Sequence, residues 1–133
     1  MTVHHVEYLL IGGYAVGHYG YVRSTVDMDI WIAVTPVTAE RMVKVLKEFG
    51  FGGGELVPEL FLKVDQILRL GVPPLRLEIH TSISGVDFQE AYTRRMSAQM
   101  DGVDVTLISL DDLKTNKSAT GRTKDKVDLE HLP

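Results

Sequence analysis

The chain has 133 residues, 44% hydrophobic and 24% charged, with a net charge of −4. That suits one globular domain with its own core and excludes both a disordered chain and the overall basic footprint of a duplex DNA binder. Cysteine is absent, so disulfides, thiolate metal sites and thiol catalysis are excluded as well.

No apolar run approaches the about 20 residues that span a bilayer. The opening "MTVHHVEYLLIGG" lacks the basic start and long apolar run of a secretory leader. The expected compartment is therefore the cytoplasm, with no membrane contact. His4 and His5 are adjacent on extended chain and point to opposite faces, which argues against a shared metal.

"VEYLLI", Val6 to Ile11, is a short apolar run that reads as a buried strand, stopped by Gly12 and Gly13. "YAVGHYG" follows as a short helix. "VDMDIWIAV" is the second strand, with Asp27, Asp29, Trp31 and Ala33 on one face and Met28, Ile30 and Ile32 on the other. Pro36 ends it. "TAERMVKVLKEFGF" is an amphipathic helix with Thr38 as its expected N-cap, Val43, Leu46 and Phe49 on its apolar side, and Gly50 at its stop.

"GFGGGELVPEL" reads as a flexible connection, and a strand is expected around Gln66 to Leu70. Pro73 and Pro74 break the chain before "LRLEIHTS", which alternates like a strand. "VDFQEAYTRRMSAQ" reads as a helix fraying into a loop, and "VDVTLIS" as a strand. Ser109 is the expected N-cap of the helix that "SLDDLKTNKSAT" starts, and "TKDKVDLEHL" forms a last helix after Gly121. Strands and helices alternate irregularly. The fold class is α/β (α+β): a mixed central β-sheet with helices packed on it, as a single domain over residues 1–133.

Asp27 and Asp29 stand one residue apart in an otherwise apolar strand. Residues i and i+2 face the same way, about 6.5–7 Å apart. Two like charges there need a cation to offset them. Two-metal phosphoryl-transfer sites hold ions about 3.5–4 Å apart, and Mg²⁺ takes carboxylate and phosphate oxygens. Glu78, mid-strand in "LRLEIHTS", supplies a third carboxylate if its strand lies beside that of Asp29; the alternative is a salt bridge to Arg76 or another base. His80 shares the face of Glu78 and falls at the rim of such a site. Gly12-Gly13, between a strand and a helix, offers backbone N–H groups to a phosphate, or is a plain tight turn. Arg23 either contacts phosphate or orients the aspartates. The basic stretch Lys114, Lys117, Arg122, Lys124 and Lys126 is either a solvated helix face or a phosphate-binding edge, and Asp125 and Asp128 are expected to pair with Lys124 or Arg122. His18, Tyr14, Tyr19 and Tyr21 read best as packing residues.

"IGGYAVGHYGYVRSTVDMDIWIAV" resembles the signature of the nucleotidyltransferase superfamily: a strand ending in Gly-Gly, then an acid-x-acid pair. The Arg23-x-Thr25-x-Asp27-x-Asp29 pattern looks like that of the small bacterial proteins related to the AbiEii abortive-infection toxins. The tail, through Lys117, Arg122, Lys124, Asp125, Asp128 and Leu129, resembles the same group, as does "GVPPLRLEIHTSISGVDFQEAY". The likeness runs from about Val6 to Leu132.

The resemblance implies a nucleotidyltransferase fold and an Mg²⁺-dependent enzyme with a two-metal site. It would move a nucleoside monophosphate from a nucleoside triphosphate (NTP) to a hydroxyl of RNA or protein and release pyrophosphate, in a toxin–antitoxin or phage-defence setting. Asp27, Asp29 and Glu78 would be the catalytic and metal-binding residues. Gly12, Gly13, Arg23, Thr25, Lys117, Arg122 and Lys124 would bind the nucleotide or the acceptor. The third acid is usually aspartate in that group, and here it is Glu78. Its relatives usually carry a helix before the first strand, so a cognate partner or a second copy is expected to cover apolar sheet surface here. The alternative function is a catalytically weak or inactive binding module of this fold, an antitoxin or partner subunit.

Overall fold

A computed structural model of the chain describes residues 6–20, 27–48, 50, 56–72, 75–100 and 102–133. The expectations for Arg23, Thr25, the His4-His5 pair, Tyr21 and Phe49 lie outside the described residues.

The apolar run near the N-terminus forms strand β1 (Tyr8–Ile11), buried along its length. Helix α1 (Gly12–His18) begins on the very glycines that end the strand. Strand β2 (Asp27–Ile32) runs antiparallel to β1, with Ile11 opposite Asp29. Helix α2 (Pro36–Glu48) buries Ala39, Met42, Val43, Val45 and Leu46. A 3-10 turn over Pro58–Phe61 packs against α2 and buries Phe61. Strands β3 (Ile67–Val72) and β4 (Leu75–His80) form an antiparallel pair. Then come α3 (Phe88–Thr93), the antiparallel pair β5 (Met96–Met100) and β6 (Val103–Leu107), α4 (Leu110–Thr120) and α5 (Thr123–His131).

The six strands make one sheet in the order β3-β4-β2-β1-β6-β5. Each end of the sheet is a strand pair close in sequence. The centre is joined by two long-range parallel contacts, β2 with β4 and β1 with β6. The result is the mixed sheet with packed helices expected from the sequence. Leu9, Ile30, Trp31, Ile32, Ile79 and Leu107 fill its buried middle. No helix among the described residues is long and apolar enough to cross a membrane.

Two local expectations are corrected. Thr35, not Thr38, caps α2: its Oγ1 accepts from the Thr38 N–H at 3.2 Å. Pro36 then takes the first helical position, where its fixed φ suits the helix and its missing N–H costs nothing. The helix over Phe88–Thr93 is followed by a strand, β5, rather than fraying into a loop. Asp87 caps α3 through the Glu90 N–H, as Ser109 caps α4 through that of Asp112. Arg94, just beyond α3, forks onto Asp112 with two 3.0 Å hydrogen bonds and ties the two helices together.

The turn between β4 and α3 packs on α4. Asn116 donates to the Ser84 carbonyl at 3.0 Å. Gly85 has a φ of +82°, and a Cβ there would meet the Ala119 methyl at 2.8 Å, so only glycine fits. This contact brings the middle of α4 over the β2–β4 end of the sheet and closes one wall of a cleft.

Candidate cation and nucleotide site

Register positions the acids. In the parallel β2–β4 pair, Asp27 lies opposite Arg76, Asp29 opposite Glu78 and Trp31 opposite His80. The alternation of β4 sets Arg76, Glu78 and His80 on one face, the same face as Asp27 and Asp29. On the other side of β4, Arg69 of β3 pairs with Glu78. Six charged or titratable side chains thus share one patch of sheet.

These side chains are sorted into definite partners. Arg76 grips Asp27 with two hydrogen bonds, Nε to Oδ1 at 2.7 Å and Nη2 to Oδ2 at 3.2 Å. The Arg69 Nε donates to Glu78 Oε1 at 2.8 Å. His80 Nε2 lies 3.0 Å from Asp29 Oδ1 and 3.7 Å from Glu78 Oε2. One ligand atom each from Asp29, Glu78 and His80 falls within 4.8 Å of the other two. Asp27 is not part of that convergence, because both its oxygens face Arg76.

The electrostatics separate the two acids. Burial opposes charge on Asp29, but hydrogen bonds with His80 and Glu78, and the charge of Lys124, hold its pKa below the ordinary carboxylate value. Glu78 is pushed up, by burial first and then by the neighbouring Asp29; Arg69 offsets only part of this. Two carboxylates this close cannot both ionise freely without an added cation.

A cleft of about 510 Å³ opens over these groups. Gly12 and Gly13 form one edge, Asp65 and Ser82 to Ser84 another, and α4 with the start of α5 supplies Lys117, Arg122 and Lys124. Gly12 has a φ of +67°, and a Cβ on it would come within 3.0 Å of the Asp29 Cβ and Cγ. The glycine is therefore required by the close approach of the α1 start to Asp29.

Gly12, Gly13, Asp27, Asp29, Glu78, Lys117, Arg122 and Lys124 all line the cleft. Within it, Lys117 is engaged below the surface: its ammonium sits 2.9 Å from Asp125 and 3.1 Å from Asp128. Arg122 also pairs with Asp125, at 2.7 Å, and Thr120 hydrogen-bonds the same carboxylate. Asp125 thus has its expected partner in Arg122, and the structure adds Lys117 as a partner common to Asp125 and Asp128. Lys124 is exposed at the rim. Glu78 pairs with Arg69, while Arg76 takes Asp27. Tyr19 packs structurally, donating to the Ile108 carbonyl at 2.7 Å. Beyond the expected metal set, the structure adds His80. Its signal was in the sequence: Arg76, Glu78 and His80 alternate along one strand.

Compared with known proteins, the chain matches no protein-family model and no curated protein. The chemistry of the site therefore rests on its own residues. Asp29 and Glu78 offer the carboxylate oxygens that Mg²⁺ takes. The His80 nitrogen is a donor of a different kind.

Proposed function

We propose that the protein is a divalent-cation-dependent nucleotidyltransferase. In this reading it transfers a nucleoside monophosphate from an NTP to a hydroxyl of RNA or protein, as part of a toxin–antitoxin or phage-defence system. One observation carries it. Asp29 and Glu78 meet in register on β2 and β4, against a glycine that cannot be replaced, inside a cleft with a cationic rim.

The cation, Mg²⁺ by the resemblance, would be held by Asp29 and Glu78, and it would neutralise charge on the phosphates when bound. A second ion at Asp27 requires Arg76 to let go of that carboxylate. The backbone at Gly12 and Gly13 faces the triphosphate, with Lys124 and Arg122 reaching it from the opposite rim. The acceptor oxygen attacks the α-phosphorus, its new bond to phosphorus forms, and the bond to the β-phosphate breaks to release pyrophosphate. Glu78 would help activate the acceptor hydroxyl, whose proton leaves as the new bond forms. Positioning and electrostatics supply the rate.

The test is calorimetric titration of the full chain with each of the four NTPs, with and without Mg²⁺, beside Asp29→Asn. Mg²⁺-dependent binding that the variant loses is the expected result. A second reading, a binding module that retains the fold without catalysis, is favoured by one observation: Arg76 and Arg69 already neutralise Asp27 and Glu78. Failure of a folded wild-type protein to bind any NTP would leave that reading standing and remove the first.

A further inference from the structure

We propose that the cation site is a mixed nitrogen–oxygen site, with His80 as its third ligand, and that it selects a first-row transition ion such as Mn²⁺ over Mg²⁺. This rests on the cation site of the reading above and adds the identity of its ion. Three donors converge from two neighbouring strands: Asp29 from β2, Glu78 and His80 from β4. Their spacing is fixed by sheet hydrogen bonds, not by a loop. Glu78 and His80 stand two residues apart on one face, and Asp29 lies directly across from Glu78.

His80 Nε2 is the atom aimed at both carboxylates, at 3.0 and 3.7 Å. A cation entering between the acids meets the lone pair of that nitrogen when the ring proton is carried on Nδ1. Mg²⁺ holds its water tightly and prefers an all-oxygen octahedron. Imidazole suits first-row transition ions better, and Mn²⁺ also accepts the two carboxylates and phosphate oxygens. Arg76 acts beside this cluster as a permanent cation, since its fork occupies Asp27. The site accordingly takes a single ion while that fork is closed.

The experiment titrates the nucleotide-free full chain with Mn²⁺ alone and with Mg²⁺ alone, by calorimetry. Electron spin echo spectroscopy of the bound Mn²⁺ then reads coupling to a nitrogen ligand. The wild type is expected to bind one Mn²⁺ with nitrogen coupling, more tightly than Mg²⁺. His80→Ala is expected to lose the coupling and at least about tenfold in Mn²⁺ affinity, with a much smaller change for Mg²⁺. The wild-type spectrum stands alone if the variant does not fold. Mn²⁺ bound without nitrogen coupling overturns the role of His80 while leaving a carboxylate cation site. Absence of binding by either ion overturns this proposal, and the NTP titration then decides separately whether the functional reading survives.

Discussion

At the level of single residues, the site depends most sharply on Gly12. Its φ of +67° disfavours any side chain, and its neighbour across the gap is the Asp29 carboxylate. Gly12→Ala should cost about 1–2 kcal/mol for the left-handed backbone alone. It should also displace Asp29 and weaken nucleotide binding. Gly17 provides the contrast: it lies in the same helix, has no positive φ, and a Cβ there meets nothing within 4 Å. Gly17→Ala should therefore stabilise the protein by about 0.5–1 kcal/mol and leave binding unchanged. Thermal denaturation with NTP titration of both variants checks the pair. Equal effects from the two would show that Gly12 is an ordinary turn residue. From the sequence alone, Asp27 and Asp29 could be set on one face because a strand alternates with period two, and Glu78 joined them only on the condition that its strand lay alongside. Which of them would meet a cation, and which an arginine, could not be read. That sorting depends on register between strands about 50 positions apart in the chain, as Arg76 and Asp27 are in the 49-residue separation of their hydrogen bond.

Between elements, the junction of α4 and α5 carries a buried charge cluster. Lys117 is 3% exposed, Asp125 is 0% exposed and Asp128 1%. Removing the lysine takes from two buried carboxylates the cation they share, and leaves Asp125 with Arg122 and Thr120. Lys117→Met should cost about 3–5 kcal/mol. Arg122 also touches Asp125, but its side chain is 61% exposed, and Arg122→Ala should cost less than about 1 kcal/mol. Denaturant melts of the two variants measure the difference, and a Lys117→Met protein as stable as wild type would remove the cluster from the account of how α5 is held. The same lysine was read from sequence as a phosphate contact or a solvated charge. Burial of a lysine cannot be seen in a helix with so weak an apolar face. Other elements were easier. The caps at Ser109 and Gly121 and the apolar run of β1 are local signals, and they appear where local chemistry puts them. Strand β5 was missed because "MSAQM" carries no β-branched or aromatic residue and most of it lies exposed at the sheet edge. The better clue was Gly102, which has a φ of +79° directly before Val103, the β6 residue paired with Met100.

For the molecule as a whole, the sheet order turns these local facts into a pH response. Only the parallel β2–β4 contact, which no local pattern encodes, puts Glu78 beside Asp29 and makes their charges interact. Burial opposes ionisation of Asp125 too, yet hydrogen bonds from Thr120, Lys117 and Arg122 pull its pKa from 3.8 to about 2. A depressed carboxylate stabilises the fold above its unfolded pKa. The contribution, about 2 kcal/mol, is lost as the pH falls from about 4 to about 2. Glu78 has the opposite sign. Its folded pKa lies above the ordinary 4.5, so the stability it confers is present below that pH and is lost as the pH rises through the raised value. Above that value the protein holds two ionised acids in contact, and a cation relieves them. Its ligands must also be deprotonated to bind it. Added Mn²⁺ should therefore raise the melting temperature clearly at pH 7 and hardly at all at pH 4.5, and chelation should reverse the gain. Asp29→Asn should abolish it at both. A melting shift of equal size at the two pH values would mean that the ion binds away from the Asp29–Glu78 pair, and would separate the cation from the charge coupling that the sheet order creates.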